Sequence, residues 1–497
     1  MSVIILVADG ARPDLLGRAI DDGSLPALAR LREEGTMSAV TTVFPSVTGP
    51  AYTPFVMGRY PGPIGLPGLR WFDRSRETAR GFGNCRSYVG SEMRHVDSDL
   101  DASAPTLFEL AGPGVGALSV ICRGLRRGER VGRSVGFVAR AARTHFSGNV
   151  AGWLDIDRQV GSEVARRIRE HRPRVVFAAL TGIDKGSHAH GHDSPAVHEA
   201  MRIVDDTVAT IRRDAERADR WGSMHLWISS DHGHSPVTAH DDLAVLLRQW
   251  GHGTVAHPWT FSGGRDAAVM VSGNAMAHIY LELDRPKRPW WPELSERWNR
   301  LATSLLERAS VDLLILPHSE REMELRHRTR GNAMIVVDGN RFSYRPLTGD
   351  PLGIGARESL NDAAAYDAMR DSDYPDALVQ IARLASSPRS GEIILSAARN
   401  WDFRARHEPI RHVSSHGALH REHMMVPLLT NRPTASTPRR TVDVMPSALA
   451  ALGLDIPTGL DGVSFVDRAQ AVRPHGGRGH LAHERPNDQR GAKSAVA

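Results

Sequence analysis

Short apolar runs alternate along this chain with amphipathic helical patterns. The segment 196–218 shows the second kind, because its apolar residues recur at steps of three and four. Runs in which almost every residue is apolar are typical of strands buried on both faces, as in parallel sheets. The alternation therefore predicts an α/β domain with a central, mostly parallel sheet flanked by helices. The predicted strands are 3–8, 117–121, 175–180, 225–229 and 425–429.

The alternating pattern stops between residues 261 and 400. This part mixes short strands, turns and a helix, as in "AMAHIYLELDRPKRPWWPELSERW", and predicts a smaller inserted α+β subdomain. The α/β core would then consist of residues 1–260 and 401–466. The final stretch, 467–497, has hardly any apolar side chains, which predicts a disordered tail.

Composition and the first residues narrow the class of protein. The chain has 497 residues and 41% hydrophobic content, enough for a large globular core. A net charge of +5 favours small anionic ligands without indicating a stable nucleic-acid partner. Cys85 and Cys122 are too few for a disulfide framework or a thiolate metal site. The N-terminal apolar run is too short for a signal peptide or a membrane span, which predicts a cytoplasmic protein.

Side chains suited to metal ions follow three of the predicted strands, at the point where each strand ends. Because the carboxyl ends of parallel strands meet at one edge of a sheet, these side chains can converge on one site. Carboxylates and imidazoles bind zinc, manganese or iron, and a pair of such ions can act on a phosphoryl group. The candidates are Asp9, Asp184, His188, Asp231 and His232, with His416 from a later segment as a sixth.

Each candidate also has an ordinary structural interpretation. Asp9 precedes Gly10 and could cap a turn, and the segment "DKGSHAHGH" could be a solvated loop. Because candidate ligands follow the ends of three separate strands, metal binding is favoured over the ordinary structural interpretations. Other histidines beside these motifs could donate hydrogen bonds to the ligands or contact substrate, although a structural role is favoured for each; they are His190, His192, His234 and His420.

Five motifs in a fixed order carry a resemblance to a known family. They are "ADGARPD", "TGPAYTPFVMGRYPGPIG", "GIDKGSHAHG", "SSDHGHS" and "SSHGALH". This set resembles the alkaline phosphatase superfamily, and most closely its type I phosphodiesterase/nucleotide pyrophosphatase branch, over residues 1–260 and 400–466. The resemblance implies an alkaline phosphatase-like core that holds two divalent ions, most commonly zinc, with manganese or iron as alternatives.

The resemblance also implies a role for individual residues. Thr48 occupies the position of the family's nucleophile, since Pro50, Gly58, Pro61 and Gly65 follow it at the family's spacing. Thr48 would attack phosphorus and give a phosphothreonine intermediate. The first ligand set would be Asp9, Thr48, Asp231 and His232, and the second ligand set would be Asp184, His188 and His416.

One departure from the family leaves the substrate open. The family's phosphate-contacting Asn is replaced by Leu69, so Arg70 is a candidate for the missing donor, and Tyr52 and Trp71 are further candidates for substrate contact. The expected substrate is a small phosphorylated molecule, a nucleotide or another phosphodiester. Alternatives are a phosphomonoesterase or phosphonate hydrolase on the same metals, or an inactive relative that binds a phosphorylated ligand.

Overall fold

The computed structural model describes residues 1–75, 84–89, 91–257, 265–404 and 410–467. Its strands, in chain order, are β1 (Ser2–Ala8), β2 (Thr36–Thr41), β3 (Arg70–Phe72), β4 (Cys85–Ser87), β5 (Gly114–Ala117), β6 (Arg130–Val131), β7 (Val175–Leu180), β8 (Met224–Ser229), β9 (Ser235–His240), β10 (Thr254–Ala256), β11 (Ala267–Ser272), β12 (Met276–Leu281), β13 (Val311–Pro317), β14 (Glu322–His327), β15 (Gly331–Asp338), β16 (Arg341–Gly349), β17 (Arg357–Leu360), β18 (Ile393–Ala397), β19 (Asn400–Asp402), β20 (Ser414–Ser415) and β21 (Met425–Thr430).

Helices connect these strands and cover the sheets. They are α1 (Pro13–Asp21), α2 (Pro26–Glu34), α3 (Thr53–Met57), α4 (Val96–Asp99), α5 (Leu107–Ala111), α6 (Val135–Phe146), α7 (Val150–His171), α8 (Gly182–His190), α9 (Pro195–Arg217), α10 (Leu243–Gln249), α11 (Trp291–Leu306), α12 (Asp362–Met369), α13 (Ala377–Ala385), α14 (Arg421–Met424) and α15 (Val444–Ala451). Among the described residues, none of these helices is both long enough and apolar enough to cross a lipid bilayer.

The central sheet has seven strands in the order β2-β21-β8-β1-β7-β5-β6. Strand β1 pairs in parallel with both β7 and β8, while β21 joins β8 in the antiparallel sense. Side chains of β1 alternate between two hydrophobic cores: Val3, Ile5 and Val7 pack in one, and the residues between them pack in the other. Burial of both faces explains why the run is continuously apolar, and the predicted α/β class is confirmed.

Most of the predicted elements lie where the sequence places them. The predicted strand 175–180 is β7, and the helical pattern 196–218 corresponds to α9. The predicted strand 117–121 is wrong, because β5 ends at Ala117. Leu118 has a φ of 50°, a left-handed conformation that a strand cannot continue through, and the chain turns away there.

A second sheet of nine strands is built from the chain between β10 and β18, in the order β10-β11-β12-β18-β13-β14-β15-β16-β17. It shares a hydrophobic core with the segment before Thr48, since Phe44 packs with Leu313 and Ile315. We retain 261–400 as the proposed extent of an inserted cap on the core 1–260 and 401–466. The predicted tail, 467–497, lies outside the described residues after Asp467.

Candidate metal centre

Three neighbouring strands bring the predicted ligands to one edge of the central sheet. Asp9 follows β1, and Asp231 lies two residues after the end of β8. Asp184 lies in the first turn of α8, which begins directly after β7, and His188 follows one helical turn later. Spacing of four residues puts both side chains on one face of α8, with His188 Nε2 3.1 Å from Asp184 Oδ1.

The first ligand set surrounds a buried point between two carboxylates. His232 Nε2 lies 3.3 Å from Asp9 Oδ1 and 3.6 Å from Asp231 Oδ2. Ligand atoms of these three residues all lie within 4.8 Å of one another. Asp231 Oδ2 is buried and accepts no hydrogen bond from any described residue. A buried carboxylate oxygen without a donor is costly, so this atom fits a bound cation.

The second ligand set converges on a single oxygen, Asp184 Oδ1. His188 Nε2 and His416 Nε2 lie 3.1 and 3.5 Å from it. A third imidazole, His234, approaches closer still, at 2.9 Å. The ligand atoms of Asp184, His232, His234 and His416 lie within 4.8 Å of one another, so His232 borders both sets.

Hydrogen bonds at Nδ1 fix the orientation of the histidines. His188 Nδ1 lies 2.9 Å from the carbonyl of Ser414, and His416 Nδ1 lies 2.9 Å from the carbonyl of Ser46. A carbonyl only accepts, so each Nδ1 carries a proton, and in a neutral ring the Nε2 then presents a lone pair toward Asp184. Burial lowers the pKa of His416 well below its usual value and keeps the ring neutral. Lone pairs aimed at a carboxylate repel unless a cation lies between them, as in metal sites.

The carboxylates at this centre have opposite electrostatic environments. Burial, with the charges of Asp231 and Asp184, raises the pKa of Asp9 well above its ordinary value. Burial alone would raise the pKa of Asp184 too, but the positive charge of Lys185 holds it well below its ordinary value. Lys185 Nζ lies 2.7 Å from Asp184 Oδ2. Asp184 is thus ionised in the metal-free protein, whereas Asp9 holds a proton more readily.

Thr48 is the hydroxyl that faces this centre. Its Oγ1 lies 3.3 Å from His232 Nε2 and 3.5 Å from each carboxylate oxygen of Asp9. Three other hydroxyls of the segment 41–58 donate to backbone carbonyls, Thr42 to Asp231, Ser46 to Ala418, and Thr53 to Pro50 and Arg59. The fourth, Thr41, is fully buried.

The predicted substrate contacts occupy different environments. Tyr52 and Trp71 are core residues with 1% or less of their surface exposed; Tyr52 packs edge-on against Phe177 and Trp71 against Tyr88. Arg70 is half-buried, and its Nη1 donates to the carbonyl of Val271 in the second sheet at 3.5 Å. Leu69, at the position of the missing Asn, lies beside the turn that follows Thr48, with Cδ1 3.7 Å from where a Cβ on Gly49 would be.

His234 is the residue of this centre for which the sequence favoured a structural role over a contact with the ligands or the substrate. It is fully buried, and its side chain faces the same carboxylate as His188 and His416. The signal that indicates it is its place in the turn after β8, two residues beyond His232.

Imidazoles and carboxylates gathered at the carboxyl ends of a mostly parallel sheet are the arrangement of an alkaline phosphatase-like hydrolase fold. Solved structures with this fold are similar over most of the chain. Phosphonoacetate hydrolase from Sinorhizobium meliloti in complex with phosphonoformate has a TM-score of 0.56 and 18% identity, covering 91% of this chain and 96% of that one. Inactive murine ectonucleotide pyrophosphatase/phosphodiesterase 5 in complex with AMP has a TM-score of 0.54 and 13% identity, covering 92% and 96%.

Sequence comparison identifies the family. The family model of type I phosphodiesterase/nucleotide pyrophosphatase matches residues 3–419, and the chain therefore belongs to this family. An uncharacterized pyrophosphatase/phosphodiesterase of Schizosaccharomyces pombe is 25% identical over 314 residues, which is 60% of this chain. The match spans 57% of that relative's length.

Proposed function

We propose that this protein is a two-metal-dependent hydrolase of phosphoric ester bonds, of the phosphodiesterase or nucleotide pyrophosphatase type. One observation carries the proposal: Thr48 Oγ1 lies 3.3 Å from His232 Nε2 and 3.5 Å from both oxygens of Asp9, at the border of two Asp/His groups. A hydroxyl held against metal ligands is in the position of an activated nucleophile.

The chain offers ligands for two divalent ions, for which we propose zinc, with manganese or iron as alternatives that the same donors accept. One ion would be held by the first ligand set and the other by the second. When bound, the ions lower the pKa of a coordinated hydroxyl or water and neutralise charge on the phosphoryl group.

The residues of the centre define the proposed reaction. Thr48 Oγ1 attacks phosphorus in line with the leaving oxygen; the P–O bond to that oxygen breaks, leaving a phosphothreonine. Attack by a water then cleaves the bond between phosphorus and Oγ1, releasing phosphate or a phosphomonoester and restoring the hydroxyl. Asp9 orients Oγ1 through its two oxygens, and Lys185 places a positive charge at the same carboxylate edge.

Replacement of the nucleophile tests the proposal. Thr48→Ala should abolish turnover of a chromogenic phosphodiester while the metal content stays near about two ions per chain. Ser46→Ala is the matched control, because the Ser46 hydroxyl donates to the Ala418 carbonyl outside the cluster. Undiminished turnover in Thr48→Ala overturns the nucleophile assignment. Absence of activity and of bound metal in the zinc-treated wild type would instead indicate an inactive phospho-ligand-binding relative.

The proposed substrate is a small phosphorylated molecule, a nucleotide or another phosphodiester. Support comes from the family, and from the AMP bound by the murine relative of the same fold. We propose a cytoplasmic location without a stable nucleic-acid partner, supported by two cysteines that are buried and free.

A second candidate is a phosphonate hydrolase or phosphomonoesterase acting on the same metals. The observation that favours it is Leu69, which puts an apolar side chain beside Gly49 where the resemblance to the family places an amide. A ratio of kcat/KM values on paired monoester, diester and phosphonate substrates separates the candidates. Strong preference for the monoester or the phosphonate replaces our first proposal with the second.

A further inference from the structure

His234 makes contacts that a purely structural histidine does not need. Its Nε2 lies 2.9 Å from Asp184 Oδ1, and its Nδ1 lies 3.2 Å from Ser414 Oγ. The Ser414 hydroxyl donates its single hydrogen to the carbonyl of Ser235 at 2.8 Å. It therefore accepts from His234, which puts the imidazole proton on Nδ1 and leaves Nε2 as a lone pair.

The same reasoning applies to the two neighbouring rings. His188 and His416 also hold their Nδ1 protons on oxygens and turn Nε2 toward Asp184 Oδ1. The ring centroids of His188, His234 and His416 form a nearly equilateral triangle with sides of 4.9, 5.0 and 5.1 Å. The three Nε2 atoms lie 3.1, 2.9 and 3.5 Å from the same oxygen, Asp184 Oδ1, and together with that oxygen they make a candidate four-donor set.

The backbone leaves room for this approach. Gly10 has a φ of 84°, and a Cβ there would lie 3.0 Å from the His234 ring and 3.0 Å from Asp184 Cα. Arg12 Nη1 donates to the carbonyl of His234 at 3.0 Å, which holds the turn after β8 in place. The ring is thus positioned from the β1 turn and the β8 turn together.

We propose that His234 is a direct protein ligand of the second metal ion, in addition to Asp184, His188 and His416. This inference rests on the proposed two-metal function and deepens it. A zinc ion with four protein donors has its tetrahedral shell filled, which is typical of tightly held ions.

Two variants distinguish a ligand from a hydrogen-bond partner. His234→Gln can still donate from its amide to Asp184, whereas His234→Ala cannot. Loss of an outer hydrogen-bond partner weakens metal binding about 10- to 100-fold. If His234 is a ligand, both variants weaken binding of the second zinc ion by more than this. Competition with a chromophoric chelator measures this. His225→Gln is the control, since His225 is buried on β8, at the end of the strand far from the turn that holds His234.

The outcomes separate this inference from the proposed function. Wild-type affinity in His234→Gln with loss only in His234→Ala shows an outer hydrogen-bond role and overturns the inference, while hydrolysis by the wild type would leave the proposed function standing. A wild type that binds no zinc overturns both. If the variants do not fold, the crystal structure of the zinc-loaded wild type decides: a ligand has its Nε2 about 2.0–2.1 Å from the ion, and a longer separation overturns the inference.

Discussion

The imidazole rings of His232 and His416 stack with their centroids 3.6 Å apart and their planes within 4° of parallel. His232 belongs to the first ligand set and His416 to the second, so the two sets meet at this stack. Two metals that act on one phosphoryl group lie roughly 3.5–4 Å apart, which requires two ligand sets in contact, as these are. The two sets nevertheless have separate carboxylates, which allows each ion to be removed by itself.

We predict that Asp231→Asn removes one ion and leaves the other. Asp231 contributes a buried oxygen without a donor to the first ligand set, and an amide is a much weaker ligand than a carboxylate. Elemental analysis should show the zinc content falling from about two ions to about one per chain, with turnover lost. Asp205→Asn is the control, because Asp205 is a buried aspartate on α9 that accepts from the backbone amides of Ala27 and Leu28. Unchanged zinc content in Asp231→Asn would exclude this residue from the ligands.

Metal binding should strengthen as the pH rises. The pKa of Asp9 is raised in the folded, metal-free protein above its unfolded value of about 3.9. A raised pKa stabilises the folded state below the unfolded value, and this stabilisation is lost as the pH rises through the folded pKa. Binding of an ion needs the ionised carboxylate of Asp9. The metal-free protein loses stability as this carboxylate ionises with rising pH, and a bound ion offsets that loss. Asp184, with its lowered pKa, is ionised throughout this range.

The measurement is the difference in Tm between zinc-loaded and chelator-treated protein. We expect this difference to increase between about pH 5 and about pH 8. Titration calorimetry in buffers of different ionisation enthalpy should show proton release on zinc binding at the lower pH. A Tm difference that stays constant or decreases as the pH rises contradicts the role given to Asp9.

Leu69→Asn should shift the substrate preference toward phosphodiesters. Leu69 is half-buried beside Gly49, so an amide there would lie close to the nucleophile turn. Removal of one transition-state hydrogen-bond donor costs about 10²–10³-fold in kcat in other enzymes, and we expect a gain of about 10-fold on installing one. The readout is kcat/KM on a diester relative to a monoester. Leu69→Ala, which removes side-chain volume without adding a donor, should not reproduce the shift. An equal shift in both variants would show that the smaller side chain, and not the amide donor, causes it.

The sequence predicted the centre well where the backbone alone decides position. Strands β1, β7 and β8 are neighbours, so Asp9, Asp184 and Asp231 meet once the strands are recognised. Spacing that resembles the family's pattern singled out Thr48, and three of the neighbouring hydroxyls donate to backbone carbonyls. These predictions depend on short segments with strong patterns.

Residues whose role depends on distant partners were less predictable. His234 faces Asp184 because its Nδ1 is held by Ser414, which lies 180 residues away in the chain. Trp71 lies on a three-residue strand, too short for periodicity to show which face is buried, and it packs in the core. The end of β5 was missed because the left-handed backbone of Leu118 has no sequence signal in a bulky aliphatic residue.

A buried ion pair connects the second sheet's helices to the segment that leads to Thr48. Arg440 donates to both oxygens of Asp376 at 2.7 Å, and Asp376 also accepts from Gln380 at 2.7 Å. Gln380 in turn accepts from the backbone amide of Phe44 at 2.9 Å. Both charged groups are buried, and Asp376 without Arg440 is an uncompensated charge in the core.

Arg440→Met should therefore destabilise the fold by about 3–5 kcal/mol, as loss of one partner of a buried pair does. Denaturant unfolding of the metal-loaded protein measures the free energy of unfolding. Arg439→Met is the matched control, since the Arg439 side chain is 45% exposed and its ion pair with Asp367 is 3.9 Å long. A double variant, Arg440→Met with Asp376→Leu, removes both charges and should recover much of the lost stability. A double variant no more stable than Arg440→Met would show that shape rather than the unpaired charge causes the loss.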